Sequence, residues 1–321
     1  MGDSITTCTD TDSEAPKRDS VSKESNIITL AKHSLNTDSP RLLFLTKDAL
    51  FIHALGAQKK DDELCSWLQL GFSLPLPHSL IANAWSAGPH LLILLASSLS
   101  PFHPGHLSVW NPLSNSLSKL PPFASIWHLI TLGFGDNMVV AAGFDCNIQC
   151  VIEIYHTDHR TSPAWHVVGH LPLSSNVQEH DEILYCGGCF YVLCMESSML
   201  VIDPQALKLT LQDIPCPSTP KLIISNDNIF MVEEKYFSSS VALWKFDEKQ
   251  FHWRARPIDC PYLQGSSLKI AYIKGVGMSI CFVLENSSIL IYDLLNHVWS
   301  FMEDCPFVPT SRPLIWEPRI D

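Results

Sequence analysis

The chain has no Lys/Arg-rich stretch. Its 21 basic residues stand against 33 acidic ones, for a formal charge of −12. Nucleic-acid binding needs a basic face to neutralise phosphates, so no nucleic-acid partner is expected. Long apolar runs are also missing: the densest, Leu91 to Ala96, is far below the ~20 residues of a membrane-spanning helix. No membrane partner is expected either. The first 26 residues are polar and hold no apolar core of a signal peptide. The eleven cysteines are therefore read as buried small hydrophobes of an intracellular protein, cytoplasmic or nuclear, rather than as a disulfide framework. No segment carries a sustained 3.6-residue apolar period, which leaves little room for helix. His-Glu-x-x-His, Gly-x-Ser-x-Gly and the phosphate-binding Gly-x-x-x-x-Gly-Lys are all absent.

Repetition is what the chain does have. Val109 to Phe123 reads as a short apolar strand, an Asn111-Pro112 turn, a second strand and a Leu120-Pro121-Pro122 close. The same order recurs at Val201-Ile202-Asp203-Pro204 closing on Ile214-Pro215, at Leu243 to Asp247 with Trp253 closing on Cys260-Pro261, and at Ile291-Tyr292-Asp293 with Trp299 closing on Cys305-Pro306. Looser copies run from Ile154-Tyr155 through Trp165 to Pro172 and from Phe51 through Trp67 to Pro75. The closing prolines Pro75, Pro121, Pro172, Pro215, Pro261 and Pro306 are spaced by 46, 51, 43, 46 and 45 positions. A near-constant period of this size marks a repeat array whose units bury their apolar faces against each other.

Within a unit, β-branched and aromatic runs of five or six residues alternate with Gly, Pro, Asn and Asp. In the third unit the strands are read as Trp127–Leu132, Met138–Ala142, Ile148–His156 and Trp165–Val168, with Gly133 to Asn137 as a turn. Four strands fill one period, and one four-stranded sheet per repeat, arranged radially, is a β-propeller. The expectation is an all-β fold with six blades of four antiparallel strands over residues 40–318. Residues 1–39 form a polar, disordered N-terminal tail. The tail's start fits the myristoylation pattern formally, but Asp3 beside Gly2 speaks against it. The first unit lacks an opening strand, and Arg312 to Trp316 resembles one. The C-terminal strand is therefore expected to complete blade 1 and remove an exposed sheet edge.

The strand–Asn/Asp-Pro–strand element, with its Trp and Leu-Pro-Pro, resembles the kelch repeats of plant F-box/kelch-repeat proteins and the galactose-oxidase-like propellers. Val109 to Pro122 is the best match, and Cys186-Gly187-Gly188-Cys189 is the one clear copy of the double glycine that names kelch repeats. The resemblance implies a kelch-type propeller that selects protein substrates for ubiquitin-dependent degradation. Members of that family dock on a Skp-type adaptor and cullin through an N-terminal F-box of helices. Residues 1–39 show no such segment, so adaptor binding is expected to be weak or absent.

Chemistry has few candidates. His156, His159, His166, His170 and His180 cluster in sequence, but in one hairpin rather than around a propeller axis. The Cys186-x-x-Cys189 pair has no second pair to complete a zinc site and fits a tight turn. The pairs Asp181-Glu182 and Glu233-Glu234 read as solvated loop charge. The recurring Trp67, Trp110, Trp165, Trp244, Trp253 and Trp299 read as packing between blades. No enzyme, cofactor or metal is expected, and a galactose-oxidase-like enzyme or a plain scaffold are the alternatives to a protein-binding module. The binding residues are sought in loops joining second to third strands and one blade to the next, which share one face. These are Phe102 and His103 between prolines, Glu234-Lys235-Tyr236-Phe237, and Tyr262, since aromatics dominate interface hot spots. Deleting residues 308–321 should lower the melting temperature of the whole domain; unchanged melting would count against closure by the C-terminal strand.

Overall fold

The computed structural model describes residues 41–45, 50–54, 68–70, 81–87, 90–95, 106–111 and 314–316; between 116 and 302 it describes all but 158–163, 173–176, 179–181, 196, 216–219, 236–239, 248–251, 261, 263–268 and 287. The expected tail, 1–39, lies outside the described residues.

Strands β1 (Arg41–Leu45), β2 (Leu50–Ala54) and β3 (Leu68–Leu70) come first. A second sheet follows from β4 (Ile81–Ala87), β5 (His90–Leu95), β6 (His106–Asn111) and β7 (Ser116–Lys119). The third holds β8 (His128–Gly135), β9 (Met138–Phe144), β10 (Cys150–His156) and β11 (His166–Leu171). The fourth holds β12 (Leu184–Cys186), β13 (Cys189–Cys194), β14 (Ser198–Asp203) and β15 (Lys208–Asp213). In the fifth are β16 (Lys221–Ser225), β17 (Asn228–Lys235), β18 (Ser240–Asp247) and β19 (His252–Asp259). The sixth is β20 (Ile270–Val276), β21 (Ser279–Leu284), β22 (Ile289–Asp293) and β23 (Trp299–Phe301). Finally β24 (Leu314–Trp316) pairs antiparallel with β1, Leu42 opposite Ile315, so that the first sheet runs β24-β1-β2-β3.

Among the described residues the chain is all-β, without helix. Each sheet is an antiparallel meander of four strands, and the first strands of successive sheets lie side by side: β4 by β8, β8 by β12, β12 by β16, β16 by β20. This is a β-propeller arrangement. The third to sixth sheets, described with most of their side chains, stand as four consecutive blades where the period predicts six in all.

The core lies between sheets. Along β10, Cys150, Ile152 and Ile154 pack with Phe190, Val192 and Leu200 of the fourth sheet, while Val151 and Tyr155 pack with Trp85 and Leu107 of the second. The alternation repeats on β13, where Phe190 and Val192 face back and Tyr191 and Leu193 face forward to Ile229 and Met231. On β17, Phe230 and Val232 join Phe282 and Tyr292 of the sixth sheet. Side chains alternate sides along a strand. A sheet covered on both faces therefore reads as a continuous apolar run rather than as an in/out pattern.

The recurring Asp/Asn after the third strand has a local cause. Asp203 Oδ1 accepts hydrogen bonds from the backbone N–H of Gln205 (3.0 Å) and Ala206 (2.9 Å), and Asp293 Oδ1 accepts from Leu295 (2.7 Å) and Asn296 (2.9 Å). Both loops return through a residue with positive φ, Leu207 at 48° and His297 at 57°. The hairpins joining first and second strands turn instead on residue pairs with positive φ: Asp136-Asn137, Gly187-Gly188 and Asn226-Asp227. That conformation matches the twist of the strands it joins.

Two expected boundaries differ from the observed strands. Gly133 and Gly135 belong to β8, and only Asp136-Asn137 turn. A Cβ on Gly133 would sit 2.2 Å from the Ile183 carbonyl oxygen, and one on Gly135 2.0 Å from Tyr185 Cγ. Those glycines let adjacent first strands approach closely; they do not bend the chain. Ile148, expected to open the third strand, lies in the preceding loop with φ 62° and is 70% exposed.

Two tryptophans tie neighbouring sheets as the period implies. The Trp165 indole donates to the Pro121 carbonyl at 3.0 Å, and Trp299 donates to that of Asp259 at 3.0 Å. Trp253 is buried in the corresponding place, yet its indole nitrogen meets no acceptor among the described residues. Trp110 is fully buried and Trp244 packs on the fourth–fifth sheet cluster. Trp67 lies outside the described residues.

A buried charge completes the join between second and third sheets. Glu153 on β10 is fully buried, and its carboxylate accepts from the backbone N–H groups of Ala124 (2.8 Å), Ser125 (2.5 Å) and Ile126 (2.8 Å). Glu153→Ala strands those three donors and should cost about 3 kcal/mol or more, with Glu153→Gln, which keeps an acceptor, costing less. Denaturant unfolding curves check this; an alanine variant as stable as the parent would refute it.

Candidate functional site

The expected recognition face gathers the connections from second to third strand and from sheet to sheet. Phe102, His103, Tyr236 and Phe237 lie outside the described residues. Glu234 and Lys235 are not loop residues as expected. They end β17, paired with Val241 and Ser240 of β18, because the hairpin ladder continues further than the polar composition signals. Glu234 is half-buried. Burial raises its carboxyl above the ordinary value and Glu285 adds to the shift, while Lys221 and Lys269 oppose it. Tyr262, 37% exposed, stands edge-on against Phe301, 55% exposed, with ring centroids 4.3 Å apart. Phe301 ends β23, so this aromatic pair lies on the same face. It is a partner the sequence reading missed, because the two residues are separated by the entire sixth sheet.

Other expected groups do not converge. His166 and His170 are exposed on β11, opposite Ile154 and Val151, and His156 ends β10; His159 and His180 lie outside the described residues. No set of three or more His, Cys, Asp or Glu is placed to hold a metal among the described residues. Cys186 and Cys189 face each other across the Gly187-Gly188 turn as paired positions of β12 and β13. Five of the seven described cysteines are buried, and burial pushes the Cys194 and Cys281 thiols up to about 12. They behave as core residues.

Asp181 lies outside the described residues, but Glu182 and Glu233 are not simple solvated charge. Glu182, just before β12, forms an ion pair with Lys274 of β20, the two side chains 12% and 13% exposed. It joins the fourth sheet to the sixth past the first strand of the fifth. Glu233 accepts from the Trp244 indole at 3.2 Å. Sequence spacing cannot reveal such pairs, since 92 positions separate Glu182 from Lys274.

On the opposite face, hairpin turns of the fifth and sixth sheets frame a cleft of about 300 Å³. The register Phe230–Lys245–Arg254 forms one row across the fifth sheet, and Val232–Leu243–Arg256 forms the next row on the same side. Lys245, Arg254 and Arg256 consequently enter the cleft together, facing Met278, Tyr292, Leu294 and His297. Ser225 Oγ donates to the Gly277 carbonyl at 2.6 Å and joins the two hairpins. The Arg256 guanidinium donates to His297 Nε2 at 3.0 Å, which leaves the imidazole proton on Nδ1 to face Tyr292 Oη at 3.2 Å. Arg254 meets Asp247 at 3.2 Å. Positive charge is thus concentrated locally in a chain that has no Lys/Arg-rich stretch: nine positions part Lys245 from Arg254, and the hairpin sets them opposite.

Compared with known proteins, the chain matches no family model and no curated protein.

The pH dependence of Glu234 follows from its raised pKa. The folded state holds that proton more tightly than the unfolded chain, so the group's favourable contribution is full below the ordinary value near 4.5 and is lost as pH rises through the raised folded value. Glu234→Gln should therefore stabilise the domain at neutral pH and leave it unchanged in acid, read as melting temperature against pH. An equal effect at both ends would disprove this.

Proposed function

We propose that the chain is a six-bladed, kelch-like propeller that recognises a protein partner and catalyses no reaction. Support for the count comes from neighbour relations: the first strands follow one another in the order β24, β4, β8, β12, β16, β20, with β24 also beside β20. The Asp-anchored hairpins at Asp203 and Asp293 fit the repeated Asn/Asp element on which the kelch resemblance stands. Following that resemblance, the partner is a substrate for ubiquitin-dependent turnover inside the cell, with contact to a Skp-type adaptor made by another chain.

The observation that carries the reading is the exposed Tyr262–Phe301 pair, on the face where rigid strands present their connections. Aromatics of this kind supply contact area at small conformational cost, and a few of them dominate most interfaces. Among the other groups on this face, half-buried Glu234 and the lysines Lys221 and Lys269 that act on it provide polar groups of both signs. Replacing Tyr262 and Phe301 together by Ala should reduce partner capture from the protein's own cells by about tenfold or more, with melting unchanged. Undiminished capture would overturn the assignment of this face. Adaptor and cullin among the retained proteins favour the ligase context, and their absence favours a scaffold.

A further inference from the structure

The cleft between the fifth and sixth sheets lies on the face away from the Tyr262–Phe301 pair and takes no part in the protein recognition proposed there. Its charged lining is of one sign. Lys245, Arg254 and Arg256 enter from two adjacent rows of a single sheet, and no acidic side chain lines it among the described residues. In a chain of formal charge −12, the bulk field opposes anions, so a cationic cleft acts only at short range.

The opposite wall is apolar and aromatic: Met278, Leu294 and the Tyr292 ring. At about 300 Å³ the cleft lies at the lower end of the ~300–1,000 Å³ range of small-molecule sites. It is larger than a bare inorganic anion fills. A carboxylate has two oxygens and satisfies one guanidinium fork. A phosphomonoester offers three terminal oxygens and close to two charges, enough for two forks and an ammonium at once. Part of the site is held ready. The contact from Arg256 to His297 and on to Tyr292 fixes one guanidinium, and the Ser225 bond to the Gly277 carbonyl fixes the two turns. Asp247, on the Arg254 guanidinium at 3.2 Å, is the anion a ligand must displace.

We propose that this cleft binds a phosphomonoester, its dianionic head held by Lys245, Arg254 and Arg256 and its organic body resting on Met278, Tyr292 and Leu294. The phosphate belongs either to a free small molecule or to a phosphorylated side chain.

Calorimetric titration of the full chain with phenyl phosphate, inorganic phosphate, a phosphotyrosine peptide and its unphosphorylated twin tests the assignment. Phenyl phosphate should bind with one-to-one stoichiometry, more tightly than inorganic phosphate, and more weakly as salt rises. Replacing both arginines, Arg254→Gln with Arg256→Gln, should weaken it by about tenfold or more. Asp247→Asn should strengthen it, a gain that misfolding does not produce. A peptide that outbinds phenyl phosphate supports the site and assigns the side-chain source. A peptide that binds no better supports it and assigns the free molecule. Absence of saturable binding by phenyl phosphate and phosphopeptide at millimolar concentration, inorganic phosphate binding as tightly as phenyl phosphate, or affinities indifferent to the arginine and Asp247 changes would overturn it.

Discussion

The third, fourth and fifth sheets have no interior of their own; each is buried by its neighbours, one on either face. Side chains at even positions of β10 enter one inter-sheet core and those at odd positions enter another. The pleat of a strand therefore distributes one residue run between two interfaces. Removing any of these three would expose two apolar surfaces at once, which is why units of this size do not stand alone. Pairing of β24 with β1 joins the two ends of the described chain by the same ladder bonds that build every other sheet.

Crowding at the first strands follows from the radial arrangement. Where adjacent first strands meet, Gly133 and Gly135 leave room for Ile183 and Tyr185, and a Cβ on Gly275 would fall 1.9 Å from the Ile224 carbonyl oxygen. The Glu182–Lys274 pair lies in the same region and links sheets that are not neighbours. Such a pair is costly to desolvate, and breaking it by removing one partner typically costs about 3–5 kcal/mol. Farther out, where the sheets diverge, the tryptophan–carbonyl contacts of Trp165 and Trp299 and the three-donor hold on Glu153 take over.

The two faces differ in construction. On one, tight turns with positive φ and Asp-anchored hairpins fix the backbone closely, and the cationic cleft sits between two of them. On the other, sheet-to-sheet connections carry the Tyr262–Phe301 pair and the partly desolvated Glu234. A rigid hairpin face suits a small, geometrically demanding anion. The connection face carries aromatic and charged groups together, which is compatible with a protein-binding role.

Much of the architecture was legible in the residues themselves. Apolar runs broken by Asn, Asp and Pro at a steady period specify four-stranded units, and the lone opening gap before Arg41 pointed to a strand near Leu314. Side-chain alternation and Asx-turn chemistry act within a few positions, so their signals survive in one dimension. Composition also marked most of the described cysteines as core. What the chain order hides is proximity across sheets. The Gly133–Gly135 stretch read as a turn because its neighbour Ile183 is fifty positions away. Glu182 read as solvated because Lys274 is farther still. Only the hairpin register brings Lys245, Arg254 and Arg256 into adjacent rows beside Tyr292 and His297. Local hydrogen bonding and periodicity determined the strands; only packing of one sheet against the next decided which side chains share a site.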